Sequence, residues 1–572
     1  MTDTIAPIQE LPTIDRRSHR TRRFSRTSHL WPLAFLVLST LLLWGRPVLL
    51  DFADKRLSNP GDSESFAFYL SWNVHAFTNF INPFFTPNLY APTGLDLGNA
   101  ISLPSVSILV APVSYFFGGT AGFNAAFLLS IFFCGAAVYL LTRELFGSII
   151  GATGAGLLAT LSPYFLAHSL SHLNLMWVFG LPLIAYLVVR CVKGRLRPVW
   201  VGVITAVVLA FTAGASTELF MTESLFAVFA FGIAVIFADR ELRVKLWRVL
   251  PWLAGGVVLG VILSIPVIVA AVTAGIPEAA VNPPQWYSTE LTNIFVPTYL
   301  NRFAPASLQA VTATWLGNAA ENSAFIPITL LVLLAIYSRF ARGRLIAGVA
   351  VFGALCLIMS FGPLLTINGQ NTIWMPWNIF LHVPGLNHVL PARFTAFSFM
   401  AITVLLAHAW ANKVVPRVMT AVAVAISGVL LLPGFAVMSF PTLASDPPYV
   451  TTGDFKRDIT PGENVLVLPP GQWGPGMRWL DDLDFEFDMP TGNGGGANRP
   501  AALDNPVGAA MFAQDQTYDF ASALPGYAKQ YNVGLVLVPA DQTAVDVKWK
   551  DIADKAFGPG VLDGGVWVYK LQ

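Results

Sequence analysis

The chain has 572 residues, 55% of them hydrophobic and 12% charged, with a mean hydropathy of +0.60. These values exclude an ordinary soluble globular protein and define a polytopic membrane protein embedded in a lipid bilayer. The formal net charge of +1 hides an asymmetry, because Lys and Arg gather in particular short loops; no nucleic-acid partner is expected.

Residues 1–29 are polar and carry Arg16, Arg17, Arg20, Arg22, Arg23 and Arg26, as in a cytoplasmic tail held near anionic lipid heads. The apolar stretch Leu30 to Leu50 follows. No small-residue cleavage site comes after it, so it reads as a retained anchor. Ten further helices are expected, at Asn124 to Leu141, Ile149 to Tyr164, Leu175 to Val189, Val199 to Ala213, Leu219 to Phe237, Leu250 to Val272, Phe325 to Tyr337, Leu345 to Phe361, Phe394 to Ala411 and Val418 to Val437. With about 11 crossings and a cytoplasmic amino terminus, the clusters at Arg143, Arg190 to Arg197, Arg240 to Arg248, Arg339 to Arg344 and Lys413/Arg417 all fall inside. The apolar stretch Leu103 to Phe117 is withheld from the count, since a crossing there would invert every later loop. It is expected to lie along or dip into the outer leaflet.

The transmembrane part, 30–440, then has three large outer loops, 51–102, 274–323 and 362–393. An odd number of crossings leaves residues 441–572 outside. Strand-like runs at Val465 to Leu468, Val533 to Val538 and Val566 to Tyr569, with helical stretches near Phe520 to Tyr531 and Val545 to Ala556, predict a small extracytoplasmic α/β domain. The acids of Asp481 to Asp488 alternate with apolar residues from Asp482 onward, which suits a strand with one solvated face better than a calcium loop. Cys134, Cys191 and Cys356 lie within or at the ends of helices and imply neither disulfides nor a Cys metal site.

Candidate chemistry concentrates on the outer side. Asp62, early in the first loop, can accept a proton from a hydroxyl nucleophile, or can simply cap the helix that starts near Glu64. Glu64 can share that role, coordinate a cation, or sit solvated in a first helical turn. His168 and His172 are spaced i, i+4 and are placed on one helical face, where they can hold a phosphate or sugar or only satisfy loop carbonyls. No HExxH pattern or third ligand accompanies them, so no metal is expected. Arg393 opens a helix on the side that cations avoid and can clamp a phosphate bidentately or snorkel to lipid heads. Arg302 and Glu321 are further candidates, while Glu218 and Glu223 are carboxylates inside the membrane, where such groups are paired or used.

Taken together, Asp62 early in the first outer loop, the interfacial stretch through Trp72, the segment Pro104 to Gly118 followed by a helix ending Thr142-Arg143-Glu144-Leu145-Phe146-Gly147, Ser162 to Leu175, the outer Arg393 and the exported tail resemble the GT-C superfamily of polyprenyl-phosphate-sugar-dependent glycosyltransferases. The resemblance implies an all-α GT-C-like bundle in a bacterial cytoplasmic membrane. It implies inverting transfer of a sugar from a polyprenyl-phosphate carrier to a hydroxyl of a glycolipid or polysaccharide acceptor on the outer face. Asp62 would be the general base, and Arg393 with His168 or His172 would steady the leaving phosphate. Many relatives have a second acid where this chain has histidines. Two other functions fit the sequence: a lipid or solute transporter using Glu218 and Glu223 as coupling groups, and a non-catalytic assembly protein acting through its tail domain.

Overall fold

The structure, a computed structural model, describes residues 29–57, 62–98, 102–275, 280, 282–434, 446–493, 504–541 and 546–571. The basic tail ahead of His29, Asn59 to Gly61, Pro277, the last residues of the span expected to reach Val437, Gly494 to Gly496 and Val545 lie outside the described residues.

Helix α1 (Leu30–Thr40) continues as a π turn to Gly45, and α2 (Asp62–Thr78) follows in the first loop, which also carries a two-residue pairing of β1 (Phe85–Thr86) with β2 (Leu95–Asp96). The apolar helices are then α3 (Pro104–Phe146), α4 (Ile149–Thr160), the short α5 (Pro163–His168), α6 (Gly180–Val192), α7 (Pro198–Ala215), α8 (Thr217–Phe237), α9 (Arg240–Leu263), α10 (Ile265–Thr273), α11 (Ile328–Phe340) and α12 (Arg344–Ser360). After the hairpin of β3 (Leu364–Ile367) and β4 (Gln370–Trp374) come α13 (Thr395–Asn412) and α14 (Arg417–Leu430). Seven spans are long and apolar enough to cross a membrane, and four shorter apolar helices accompany them among the described residues. Each of the eleven expected segments coincides with one of these.

Local chemistry sets the helix starts. Ser148, Ser216 and Asp239 accept from the backbone N–H three residues on, at 3.1, 3.3 and 2.8 Å, so three helices begin with a satisfied donor. Small residues allow close helix contacts. A Cβ on Gly256 of α9 would stand 2.5 Å from the carbonyl oxygen of Gly202 in α7, so this pair packs backbone to backbone.

The stretch Leu103 to Phe117 is the first half of α3, and Gly118 (φ 79°, ψ 172°) breaks it sharply from the second half. Such a backbone suits glycine alone. Both ends of the first half touch the loop side of the bundle: Ser105 donates to the Phe211 carbonyl near the end of α7 at 2.7 Å, and Gly119 N–H donates to Asp481 of the tail domain at 2.7 Å. The segment therefore runs along that face while the second half of α3 traverses the bundle. Arg143, Arg190, Arg240, Arg344 and Arg417 all stand at the opposite helix ends.

The carboxyl-terminal region carries a four-stranded sheet in the order β5 (Asn464–Val467), β6 (Val533–Pro539), β8 (Val566–Lys570), β7 (Val561–Asp563), with β5 and β6 parallel and the other pairs antiparallel. Among the described residues its longer helices are α15 (Gly476–Asp482), α16 (Pro506–Ala513), α17 (Phe520–Gln530) and α18 (Trp549–Phe557). The strand expected over Asp481 to Asp488 is corrected. Asp481 and Asp482 end α15, and Asp484 (φ 49°) and Phe485 (φ 60°) form a left-handed turn, because Phe485 is drawn into contact with Phe68, Trp72 and His75 of α2. Asn88 and Ser65 complete the seam, bonding the carbonyls of Phe487 at 2.9 Å and Asn493 at 2.5 Å.

Candidate active site

Arg393 lies in the turn Pro391–Phe394 that leads into α13. Its Nε donates to both oxygens of Glu321 at 3.1 Å, its Nη2 donates to Oε1 of the same residue at 2.5 Å, and its Nη1 bonds Glu218 at the start of α8. The second and third large loops and the start of α8 thus meet at one guanidinium. With both carboxylates ionised the trio is one negative charge in excess, so a further cation is favoured beside it.

His168 and His172 adjoin this trio. They do not share a helical face as expected: α5 ends at His168, the chain turns through Ser171 (φ 72°), and the two Nδ1 atoms face each other at 3.2 Å. Glu321, which also accepts from Arg393, stands where it could supply a third ligand. One ligand atom from each of His168, His172 and Glu321 lies within 4.8 Å of the others. The fit to an ion is good: two imidazole nitrogens on one tetrahedral Zn²⁺, each at ~2.0–2.1 Å, stand ~3.3 Å apart. Burial, helped by the charge of Arg393, holds His172 down at about 3, which leaves it a neutral imidazole at physiological pH. Tyr164 packs edge-on against the His168 ring at 4.2 Å and donates its hydroxyl to the Leu175 carbonyl, fixing the ring's position.

Asp62 is the first residue of α2 and is open to solvent, although protein surrounds its carboxyl. That burial raises it above the ordinary aspartate range, and the charge of Arg393 pulls it part of the way back. Asp62 and the Arg393 group are therefore electrostatically coupled. Glu64 has a different place: it is buried and ion-paired to Arg56, whose guanidinium lies over the Phe123 ring at 5.9 Å. This pair fixes the foot of α2. Arg302 is placed over the Phe303 ring at 5.7 Å, with its N–H bonded to the Leu432 carbonyl, and is not among the residues that Arg393 bonds. Glu223 accepts from the N–H groups of Gly180 and Leu181 at 3.1 and 3.4 Å, capping α6.

No family model matches the sequence, and no curated protein is significantly similar to it. Solved structures do share its fold. The oligosaccharyltransferase of Archaeoglobus fulgidus superposes with a TM-score of 0.50 at 15% identity, covering 93% of this chain and 72% of that one. The mycobacterial arabinofuranosyltransferase AftD superposes with a TM-score of 0.54 at 15% identity over 95% of this chain, which corresponds to 40% of AftD. The chain has the GT-C fold of membrane glycosyltransferases.

Proposed function

We propose that the chain is a glycosyltransferase that moves a sugar from a polyprenyl-phosphate carrier to a hydroxyl of an envelope glycolipid or polysaccharide, with inversion. The observation that carries this reading is the union of Glu218, Glu321 and Arg393 with the His168–His172 pair on the side of the bundle where Asp62 opens α2. An exposed carboxyl of raised proton affinity beside a fixed cation suits general-base removal of a hydroxyl proton while negative charge grows on a phosphate. Asp62 is the base. Arg393, held on two sides, presents its charge without reorganising.

In place of the metal-free site expected from the sequence, His168, His172 and Glu321 are proposed to hold a divalent cation. When bound, it would offset the excess negative charge of the carboxylates and act as a Lewis acid for the carrier phosphate. Glu64 and Arg56 are positioning residues that hold α2 so that Asp62 meets the acceptor. The outer-face location fits a donor delivered within the bilayer, and the apolar helices supply the surface along which an isoprenoid tail can approach.

Purified protein in lipid nanodiscs, given labelled polyprenyl-phosphate mannose or polyprenyl-phosphate arabinose and envelope acceptors, is expected to transfer one of the two labels. Asp62→Asn should lower that rate by ~10²–10⁴ with folding intact. Transfer at the wild-type rate in this variant removes Asp62 from the mechanism, and transfer of neither label removes the reading for these donors.

A further inference from the structure

A second cleft of about 490 Å³ lies between the far end of α2, the first half of α3 and α15 of the tail domain. Its walls differ in kind from the Arg393 site. Asp481, Asp482 and Asp484 come from one side, and Tyr115 and Phe116, with exposures of 63% and 71%, stand at another. The two rings meet edge to face at 5.1 Å.

The carboxylates are differently engaged. Asp481 accepts from Gly119 N–H at 2.7 Å, Asp482 faces Arg478 at 3.8 Å, and Asp484 meets His75 Nδ1 at 3.1 Å while its side chain remains 86% exposed. Burial and the neighbouring Asp446 and Asp481 push Asp482 above the ordinary aspartate range, with Arg478 opposing in part. The turn bearing Asp484 is rigidly seated, since Phe485 beside it contacts Trp72 and His75 at 5.3 and 4.6 Å.

Carboxyl oxygens beside exposed aromatic rings match a ligand with many hydroxyls and an apolar C–H face, which is the surface of a sugar. The three aspartates disfavour anionic lipid heads and phosphates. From Asp62 to His75 the helix rises 13 residues, or ~20 Å, so the cleft lies along the same helix as the reacting centre but well away from it. We propose that this cleft binds neutral saccharide units, holding a part of the acceptor glycan remote from the hydroxyl that reacts; the acceptor role rests on the glycosyltransferase reading. Binding a remote part of a substrate in this way positions the reacting end.

The test uses the full chain in nanodiscs without donor, titrated calorimetrically with a mannotetraose and an arabinofuranosyl tetrasaccharide. At least one should bind saturably. Asp484→Ala and Phe116→Ala, both at exposed positions, should each weaken that binding 10-fold or more, while Glu241→Ala, exposed at the opposite end of the bundle, leaves it within 2-fold. No binding of either glycan, binding unchanged in both cleft variants, or binding weakened equally in Glu241→Ala would overturn the proposal. Binding that behaves as expected in a protein that transfers no labelled sugar would retain the cleft and reject the transferase reading, so the two failures are distinguishable.

Discussion

Arg393 and Glu321 form a fork-to-fork pair across the second and third loops, with Nε at 3.1 Å from both carboxylate oxygens and Nη2 at 2.5 Å from one of them. Side-chain exposures of 12% and 4% place this pair out of bulk water. Removing one member of a buried pair leaves an uncompensated charge, at a cost of ~3–5 kcal/mol. Arg393→Met is therefore expected to lower the unfolding temperature in nanodiscs markedly, because it strands both Glu218 and Glu321. Adding Glu321→Gln to it should restore part of the loss. An Arg393→Met protein as stable as wild type would show that the guanidinium does not hold the loops.

Asp62 gives a pH prediction with a definite sign. A base works only when deprotonated, and protein burial raises its carboxyl above the usual value of 3.8, with Arg393 opposing in part. The acidic limb of the transfer rate should accordingly lie above the range of a free aspartate, activity being lost as pH falls through it. A pH–rate profile under single-turnover conditions reads this limb directly. Its midpoint at or below the ordinary value would remove the assigned environment.

Hydropathy exposed the helices because a lipid-facing helix must be apolar along its length, and the stretch Leu103 to Phe117, set apart by the cation pattern, forms a half-helix of its own ahead of Gly118. The break at Gly118 that executes this was not legible, since a glycine in an apolar run carries no mark of its φ. Asp62, His168, His172, Arg393 and Glu321 were each singled out locally, but their assembly was not: 103 residues separate Glu218 from Glu321 (321 − 218) and 72 more lead to Arg393 (393 − 321), and an ion pair of that range leaves no periodicity. Alternation misled at Asp481 to Asp488, where tertiary contact of Phe485 with α2 outweighs the local pattern.

His172 links stability to pH. Its imidazole is held at about 3 against 6.5 when unfolded, so between these values the unfolded chain binds more protons than the native one. Native stability should rise with pH across that window and level off above it. His172→Gln removes this contribution, and the slope of its stability against pH should be shallower than that of wild type by up to ~1.4 kcal/mol per pH unit. Equal slopes measured by denaturant titration at several pH values would show that the histidine is not buried as a neutral base.

The geometry of His168, His172 and Glu321 predicts divalent-ion binding that can be read without any substrate. An ion that binds only the folded state stabilises it by mass action, by ~2.7 kcal/mol at one hundred times the dissociation constant. Adding Zn²⁺ or Mn²⁺ to chelator-treated protein is expected to raise its unfolding temperature in a saturable way. His172→Asn removes one of the two imidazole nitrogens that face each other at 3.2 Å and should abolish the shift. The same shift in His172→Asn would place the ion elsewhere, and no shift in wild type would leave Arg393 as the cation that meets the phosphate.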